Sequence, residues 1–183
     1  MNNKALLLID LQNDYFEGGK MTLVNADLAI KNASMALEKF RKDGLPVIHI
    51  QHIATSPNAS FFLPDTIGAQ IHNEVQPLGN EKLVVKHFPN SFRETELLRY
   101  LRENEINTLV ICGMMTHMCI DATTRAASDL GFNCILLSDA CATRDLEING
   151  EKIKAVDVHN AFLAALNSTY AEVLKNKDYL LKI

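Results

Sequence analysis

The chain has 183 residues, of which 48% are hydrophobic and 22% charged, and its formal net charge is −4. These values are ordinary for a globular protein, and the length suits one domain with a sizeable core, so we predict a single domain over residues 1–183. The mild acidity argues against a nucleic-acid partner, which would require clustered Lys and Arg, and against a disordered acidic chain.

The sequence contains no run of about 18 apolar residues, so we expect neither a transmembrane helix nor another membrane association. The segment Met1–Leu11 has only a short apolar run that ends at Asp10. It lacks a basic start and a small-residue cleavage site, which is not typical of a signal peptide, and we expect a cytoplasmic location. The four cysteines form no Cys-x-x-Cys pair, and we predict no disulfide framework.

Short apolar runs alternate with helical patterns along the chain, which indicates a parallel sheet covered by helices. In chain order the predicted elements are strand Ala5–Ile9, helix Asn25–Lys42, strand Val47–Ile50, strand Leu83–Val85, helix Thr95–Glu103, strand Leu109–Cys112, helix His117–Leu130, strand Cys134–Leu137, helix Ala155–Asn167 and edge strand Tyr170–Leu174. Residues 53–80 show no clear period and are predicted to form a long irregular connection. The expected fold is an open, mostly parallel, Rossmann-like α/β sheet with helices on both faces.

Ligands bind beyond the carboxyl ends of the strands in such sheets, and three reactive side chains follow those ends. Asp10 follows the first strand, Lys86 the third, and Cys119 opens the helix after the fourth. A nearby cation and a helix N-terminus favour the reactive thiolate, and a carboxylate can move the thiol proton to a leaving nitrogen. The residues alone leave another interpretation open, in which Cys119 is a core residue, Lys86 is solvated and Asp10 caps a turn.

Four segments closely resemble the isochorismatase-like cysteine hydrolase family. They are LLLIDLQNDYF (6–16), VVKHFPNSF (84–92), VICGMMTHMCIDATTRAASDLGF (110–132) and LLSDACATRD (136–145). The resemblance implies a three-layer α/β/α sandwich with a six-stranded sheet and a catalytic triad of Asp10, Lys86 and Cys119. It also implies a cis peptide bond between Met114 and Met115, with the backbone N–H groups of Met115 and Cys119 as the oxyanion hole. Family members are commonly oligomers, so a homodimer or homotetramer is expected.

Within this family the sequence favours the amidase branch. Members that cleave isochorismate typically lack the nucleophilic thiol, whereas this chain has Cys119 at the motif position. A looser similarity extends to the subgroup that contains streptothricin hydrolase. We therefore predict hydrolysis of a C–N bond in a small-molecule amide through a thioester acyl-enzyme, without a cofactor. The alternatives are an isochorismatase-type vinyl-ether hydrolase and a non-catalytic binding or redox-sensing protein.

The family's nicotinamidases bind a metal through an Asp-x-His pair and a further His, and this chain departs from that pattern. The corresponding stretch, HIQHIATSPNASFFLP (49–64), contains no Asp-x-His. His49 and His52 are three residues apart in or near a strand and should point to opposite faces, so we predict no metal site.

A partly apolar substrate pocket is predicted from side chains in the loops around the triad. Its candidate residues are Phe16, Phe61, Phe62, Phe88, Phe92, Met115 and His117. The aromatic residues could instead pack the loops against the sheet, and His117 could face solvent.

Overall fold

A six-stranded parallel sheet forms the centre of the protein in a computed structural model that describes residues 3–182. Met1, Asn2 and Ile183, which the predicted domain includes, lie outside the described residues. The strands are β1 (Lys4–Ile9), β2 (Val47–His52), β3 (Lys82–Lys86), β4 (Thr108–Met114), β5 (Asn133–Ala142), β6 (Leu146–Ile148), β7 (Glu151–Ile153) and β8 (Glu172–Leu174). The sheet has the order β3-β2-β1-β4-β5-β8, and β6 and β7 form a separate antiparallel hairpin.

Helices cover the sheet on both faces. They are α1 (Ala26–Lys42), α2 (Leu97–Glu103), α3 (Asp121–Asp129), α4 (Ala155–Leu166) and α5 (Asn176–Leu180). Two hydrophobic clusters, one on each face of the sheet, hold these layers together. One contains residues of α1 and α5, and the other contains residues of α2, α3 and α4. The predicted three-layer α/β/α sandwich with six strands is confirmed, and the sheet is entirely parallel rather than mostly so.

Strand β1 shows why this sequence forms a doubly covered sheet. Its residues from Ala5 to Ile9 are all buried, and alternate side chains enter different layers. Leu6 and Leu8 pack in the α1 cluster, whereas Leu7 and Ile9 pack in the cluster under α2, α3 and α4. A strand with both faces buried has to be apolar at every position, which is the continuous pattern the sequence carries.

Several elements differ from the prediction. The helix predicted from His117 to Leu130 begins as a π turn (Thr116–Ile120) and continues as α3. Strand β5 is longer than predicted, and β8 is shorter but lies at the edge of the sheet as expected. The β6–β7 hairpin and α5 were not predicted. The hairpin turns at Asn149-Gly150, which both have positive φ (53° and 80°), the Asn-Gly signature of a tight hairpin.

The long connection at residues 53–80 is irregular, as predicted, with two short 3-10 turns at Ile67–Ala69 and Asn73–Val75.

Among the helices of residues 3–182, none combines the length and the hydropathy needed to cross a membrane.

Candidate active site

The order of the strands brings the three predicted reactive residues to one edge of the sheet. Strand β1 lies between β2 and β4, and β3 lies beside β2. Asp10 directly follows β1. Along this edge of the sheet it therefore lies between Lys86, at the end of β3, and the turn after β4 that carries Cys119. Its backbone has φ 51°, a left-handed conformation that Asp tolerates better than most residues, and its N–H donates to Ile50 O at 3.0 Å.

Gly113 permits the close approach of β1 and β4 at this point. It pairs with Ile9 in the parallel register and has φ 129°, and a Cβ atom at this position would lie 2.0 Å from Ile9 O. Only glycine fits here, because any side chain would collide with the neighbouring backbone. The site is thus built where β1 and β4 pair without room for a side chain at Gly113.

The ammonium group of Lys86 lies at the centre of the cluster. Its Nζ is 2.8 Å from Asp10 Oδ2, 3.2 Å from Cys119 Sγ, 3.0 Å from His52 Nδ1 and 3.0 Å from Phe88 O. Asp10 and Lys86 are fully buried, and Cys119 is 4% exposed. The structure therefore brings together the acid, the amine and the thiol that the sequence places more than 30 residues apart.

Burial and charge decide the protonation states of this cluster. Burial lowers the pKa of Lys86, but the charge of Asp10 and its hydrogen bond to the ammonium outweigh burial and raise the pKa overall, so the lysine stays charged. Burial and the neighbouring Asp10 raise the pKa of Cys119, and Lys86 lowers it only in part. Cys119 is therefore a neutral thiol in the resting site. The sequence predicts that the lysine and the helix N-terminus favour the thiolate, but the cost of desolvating a buried thiolate is larger.

A proton acceptor lies beside this thiol. Both carboxylate oxygens of Asp10 are buried and neither makes a regular hydrogen bond within the described residues, but Oδ2 forms the 2.8 Å ion pair with Lys86, whereas Oδ1 has no such contact. An unpaired buried carboxylate oxygen is uncommon, because its desolvation is costly unless a group binds there. The arrangement leaves one oxygen of Asp10 bound to the lysine and the other free to accept a proton.

His52, which the sequence indicates to be a pocket or structural residue, is the fourth member of the cluster. Burial, followed by the charge of Lys86, lowers the pKa of His52 to about 4. The ring is therefore neutral near pH 7, and its Nδ1 accepts a hydrogen bond from the ammonium. The parallel register explains the contact, because it pairs His52 at the end of β2 with Lys86 at the end of β3.

Three side chains at the site carry atoms that could also bind a metal. Asp10, His52 and Cys119 offer ligand atoms within 4.8 Å of one another. The ammonium of Lys86 lies within 3.2 Å of an atom of His52 and of Cys119 and 2.8 Å from Asp10, so these three groups already surround a cation.

The turn that carries Cys119 begins at a cis peptide bond between Met114 and Met115. The N–H of Ile120 donates to Met115 O at 3.3 Å, a step of five residues. The N–H of Met115 donates to no acceptor in the part of the chain that the structure describes. The first N–H groups of a helix lack partners inside it, so the predicted oxyanion donors, Met115 and Cys119, lie where such groups are expected.

Two buried polar residues after β1 fix the loops around the site: Asp14, for which the sequence predicts a structural supporting role, and Gln12, which was not predicted. The Gln12 side chain donates to His52 O and Ala69 O, both at 2.8 Å, and accepts from His52 N–H at 2.7 Å. Asp14 accepts the N–H of Phe62 at 2.6 Å. Together they tie the irregular connection to the end of β2.

The predicted aromatic pocket residues divide into two groups. Phe62 is buried and packs on Tyr15 (ring centroids 4.7 Å apart) and on His52 (5.9 Å), beside the triad. Phe16 and Phe61 line a separate cavity of about 610 Å³, whose lining residues do not include the triad. Tyr15 was missed by the sequence analysis. Tyr15 is fully buried against Phe62, and burial is the main cause that raises the pKa of its hydroxyl.

Two other predicted pocket residues make contacts elsewhere. Phe92 stacks on Phe132, just before β5 and therefore at the opposite end of the sheet, with ring centroids 6.1 Å apart. This contact fits the alternative left open by the sequence, in which the ring packs its loop against the sheet. His117 Nδ1 lies 2.5 Å from Thr143 Oγ1, so its ring is directed towards β5.

The remaining pocket candidates lie closer to the triad. Phe88 contributes its carbonyl oxygen to Lys86, and its ring lies under the guanidinium of Arg93 at 3.6 Å. Met115 is 5% exposed at the start of the turn that carries Cys119.

The fold and these contacts define a doubly wound α/β enzyme with an acid, an ammonium and a thiol at the carboxyl edge of its sheet. The family profile of the Isochorismatase domain matches residues 4–178. The isochorismatase family protein YddQ of Bacillus subtilis (strain 168) is 50% identical over 176 residues, which cover 96% of this chain and 98% of that protein.

A solved structure from Oleispira antarctica, described as an isochorismatase hydrolase, superposes with a TM-score of 0.95 at 49% identity, covering 98% of this chain and 97% of that one. Streptothricin hydrolase of Streptomyces noursei is 31% identical and covers 92% of this chain and 58% of its own length. The chain belongs to the isochorismatase family, as the motifs predicted, and it is an isochorismatase-family hydrolase.

Proposed function

We propose that the protein hydrolyses a C–N bond of a small-molecule amide through a thioester on Cys119. The observation that carries this proposal is the position of Lys86 Nζ, 2.8 Å from Asp10 Oδ2 and 3.2 Å from Cys119 Sγ, in a fully buried cluster. An acid, a cation and a thiol in direct contact are the parts that covalent amide hydrolysis requires. The similarity to a streptothricin hydrolase also supports an amide substrate.

The first half of the reaction forms the thioester. Asp10 Oδ1 takes the proton of Cys119 as the sulfur attacks the carbonyl carbon of the amide, and the charged Lys86 stabilises the developing thiolate. The carbonyl oxygen becomes an oxyanion that accepts hydrogen bonds from the N–H groups of Met115 and Cys119. The raised pKa of Cys119 makes this proton transfer necessary, because the resting group is a thiol.

The second half of the reaction regenerates the enzyme. Asp10 gives its proton to the leaving nitrogen, the C–N bond breaks and the amine departs, which leaves a thioester on Cys119. Asp10, again a carboxylate, takes a proton from water, and the resulting hydroxide attacks the thioester. Cleavage of the C–S bond releases a carboxylic acid, and the sulfur recovers a proton from Asp10. Each proton that Asp10 accepts is returned within the cycle.

The proposal is tested by a hydrolysis screen over primary amides, cyclic amides, carbamoyl compounds and nicotinamide. Ammonia release detects the primary amides, and the mass of the product detects ring opening. We expect Cys119→Ala to reduce turnover at least about 1000-fold. Cys134→Ala, which changes a buried cysteine near the start of β5, is the matched control and should keep full activity.

Intact-protein mass spectrometry separates amide hydrolysis from the two alternatives. An amidase accumulates a covalent acyl adduct on Cys119 during turnover, particularly when the reaction is stopped by acid. Turnover of a vinyl ether by Cys119→Ala, or thiol modification without turnover of any amide, would instead support the isochorismatase-type or the redox-sensing alternative.

A further inference from the structure

The first residue of the nucleophile turn is held by a side chain that the proposed reaction does not use. Thr116 directly follows Met115 and is fully buried. Its hydroxyl oxygen lies 2.9 Å from Nδ1 of His159 on α4 and 3.2 Å from Ala142 O at the end of β5. One hydroxyl thus connects the turn to a helix on one side and to a strand on the other.

The two partners of the Thr116 hydroxyl differ in whether they can donate or accept a hydrogen bond. A hydroxyl has one proton to donate and two lone pairs with which to accept. Ala142 O can only accept, whereas Nδ1 of His159 is an acceptor in one neutral tautomer and a donor in the other. Burial lowers the pKa of His159, with a partial opposing effect from a hydrogen bond to the backbone of Ser138, so the ring is neutral near pH 7.

His159 lies beside the buried apolar residues of α4 and is itself partly buried. The face of α4 that packs on the protein is apolar, with Ala155, Val158, Leu163 and Leu166 all buried. A partly buried histidine on this helix gives up apolar packing, and its desolvation must be compensated by hydrogen bonds. Its contact with Thr116 supplies that compensation.

The contacts of the turn show what this attachment controls. Met115 O accepts the N–H groups of Met118 (3.0 Å) and Ile120 (3.3 Å), so the orientation of the Met115–Thr116 backbone sets the orientation of the whole turn. The predicted oxyanion donors, the N–H groups of Met115 and Cys119, belong to this turn. An oxyanion hole works only when its donors are fixed in advance at the correct distance.

We propose that His159 is a positioning residue, which holds the Thr116 hydroxyl and thereby aligns the N–H groups of Met115 and Cys119 with the reacting carbonyl. This inference rests on the proposed amide hydrolysis for its effect on turnover. Its structural part, the fixing of the Cys119 turn by His159, can be measured without any substrate.

The test uses variants that separate the hydrogen bond from the shape of the side chain. His159→Leu removes the hydrogen-bonding group and His159→Asn keeps one, because the amide of Asn can present either its Nδ2 or its Oδ1 at the position of Nδ1. Thr116→Val removes the hydroxyl at nearly constant volume. Asn160→Leu changes an exposed polar residue on the same helix and serves as the matched control.

We expect His159→Leu and Thr116→Val each to lower kcat by about 10- to 100-fold, the size of effect that a small misplacement of catalytic groups produces. KM should change less than about threefold, and His159→Asn should retain most of the kcat, as should Asn160→Leu. The kcat of the double variant His159→Leu/Thr116→Val should be no lower than that of the less active single variant, because both substitutions remove the same hydrogen bond. Full kcat in His159→Leu, or additive losses in the double variant, would overturn the inference.

A second measurement keeps the inference independent of the substrate. The rate at which iodoacetamide alkylates Cys119, followed by peptide mass spectrometry, should change several-fold in His159→Leu and Thr116→Val and stay near wild type in His159→Asn. If no amide is turned over by the wild-type protein, the proposed function fails but this result still supports the positioning role. Unchanged alkylation in His159→Leu, with the melting temperature unchanged, would refute it.

Discussion

Strand β2 contributes one histidine to each of two buried charged clusters, which differ in how fully their polar groups are bonded. On one face, the carboxylate of Glu81 accepts hydrogen bonds from Arg41 (2.7 and 2.8 Å), from His49 (2.9 Å) and from Leu78 N–H (2.8 Å). Burial raises the pKa of Glu81, but the hydrogen bonds from these donors have the larger, opposite effect, so the pKa falls to about 2. Each oxygen of this carboxylate accepts at least one hydrogen bond, so we interpret the cluster as structural.

The cluster around His52 is the opposite case. Lys86 binds one oxygen of Asp10, while the other has no hydrogen-bond partner among the described residues, and Cys119 remains a thiol beside it. Buried polar groups are almost always paired, so a carboxylate that keeps one oxygen free marks a place where protons can move. The comparison teaches that saturation with donors, rather than burial or charge alone, separates a structural cluster from a reactive one.

The largest effect is expected when the free acceptor is removed. Asp10→Asn keeps a residue that tolerates the left-handed backbone at φ 51° but cannot take the thiol proton. We expect turnover to fall at least about 1000-fold while far-UV circular dichroism stays unchanged, because proton transfer is lost without a change of shape. A variant that kept a tenth of the wild-type rate would show that Asp10 is not the base.

In the cluster around Glu81, whose carboxylate oxygens all accept hydrogen bonds, a substitution should reduce stability rather than activity. Glu81→Gln removes the negative charge that pairs with Arg41 and His49, and we expect it to lower the free energy of unfolding by about 1–3 kcal/mol, because it leaves the buried ring of His49 and the partly exposed guanidinium of Arg41 poorly paired. Urea denaturation measures this loss. The kcat of the folded variant should stay within about twofold of wild type. A large loss of kcat at full stability would mean that the two clusters are not functionally distinct.

A smaller effect is expected from acid. The pKa of His52 falls from its ordinary value of 6.5 to about 4 in the folded protein, mainly through burial. Between these values the unfolded chain binds more protons, so stability is complete above about pH 6.5 and is lost as the pH falls towards 4. The contribution of His52 is roughly 3 kcal/mol, and His49, whose pKa burial also lowers, acts in the same direction.

His52→Gln provides the control for this pH dependence. The variant should lose part of the slope of stability between pH 6.5 and 4, measured by urea denaturation at several pH values. The low pKa of Glu81, about 2 against 4.5, adds a further loss that begins only below pH 4.5 and should remain in this variant. An unchanged slope would show that His52 is not held neutral by the reactive cluster.

The smallest effect distinguishes packing aromatics from those at the reactive cluster. Phe92→Leu should cost about 1 kcal/mol of stability, because its ring stacks on Phe132, and should leave kcat/KM within about twofold. Phe62→Leu is the matched change beside His52 and should alter KM for the identified amide by more than that. Equal kinetic effects of the two variants would place Phe92 at the substrate site after all.

The strands were predicted because their physical cause is local. A strand such as β1, buried on both faces, needs an unbroken apolar run, and that run can be read without knowing its neighbours. The hairpin at Asn149-Gly150 carried an equally local signal, the Asn-Gly pair, and could have been predicted. The π turn at Thr116–Ile120 has no comparable signature, since its shape depends on what Met115, Thr116 and His117 contact elsewhere.

The layered α/β fold and the residue types at the ends of the strands follow from the hydrophobic pattern and the order of the chain, which are properties of the primary structure. Which of those residues meet depends on how the layers pack. The register of β2 with β3 places His52 against Lys86, Gly113 lets β1 and β4 close together, and α4 brings His159 to Thr116. Such contacts join residues more than 30 positions apart, and their distances follow from the packing of whole layers, which no local pattern encodes.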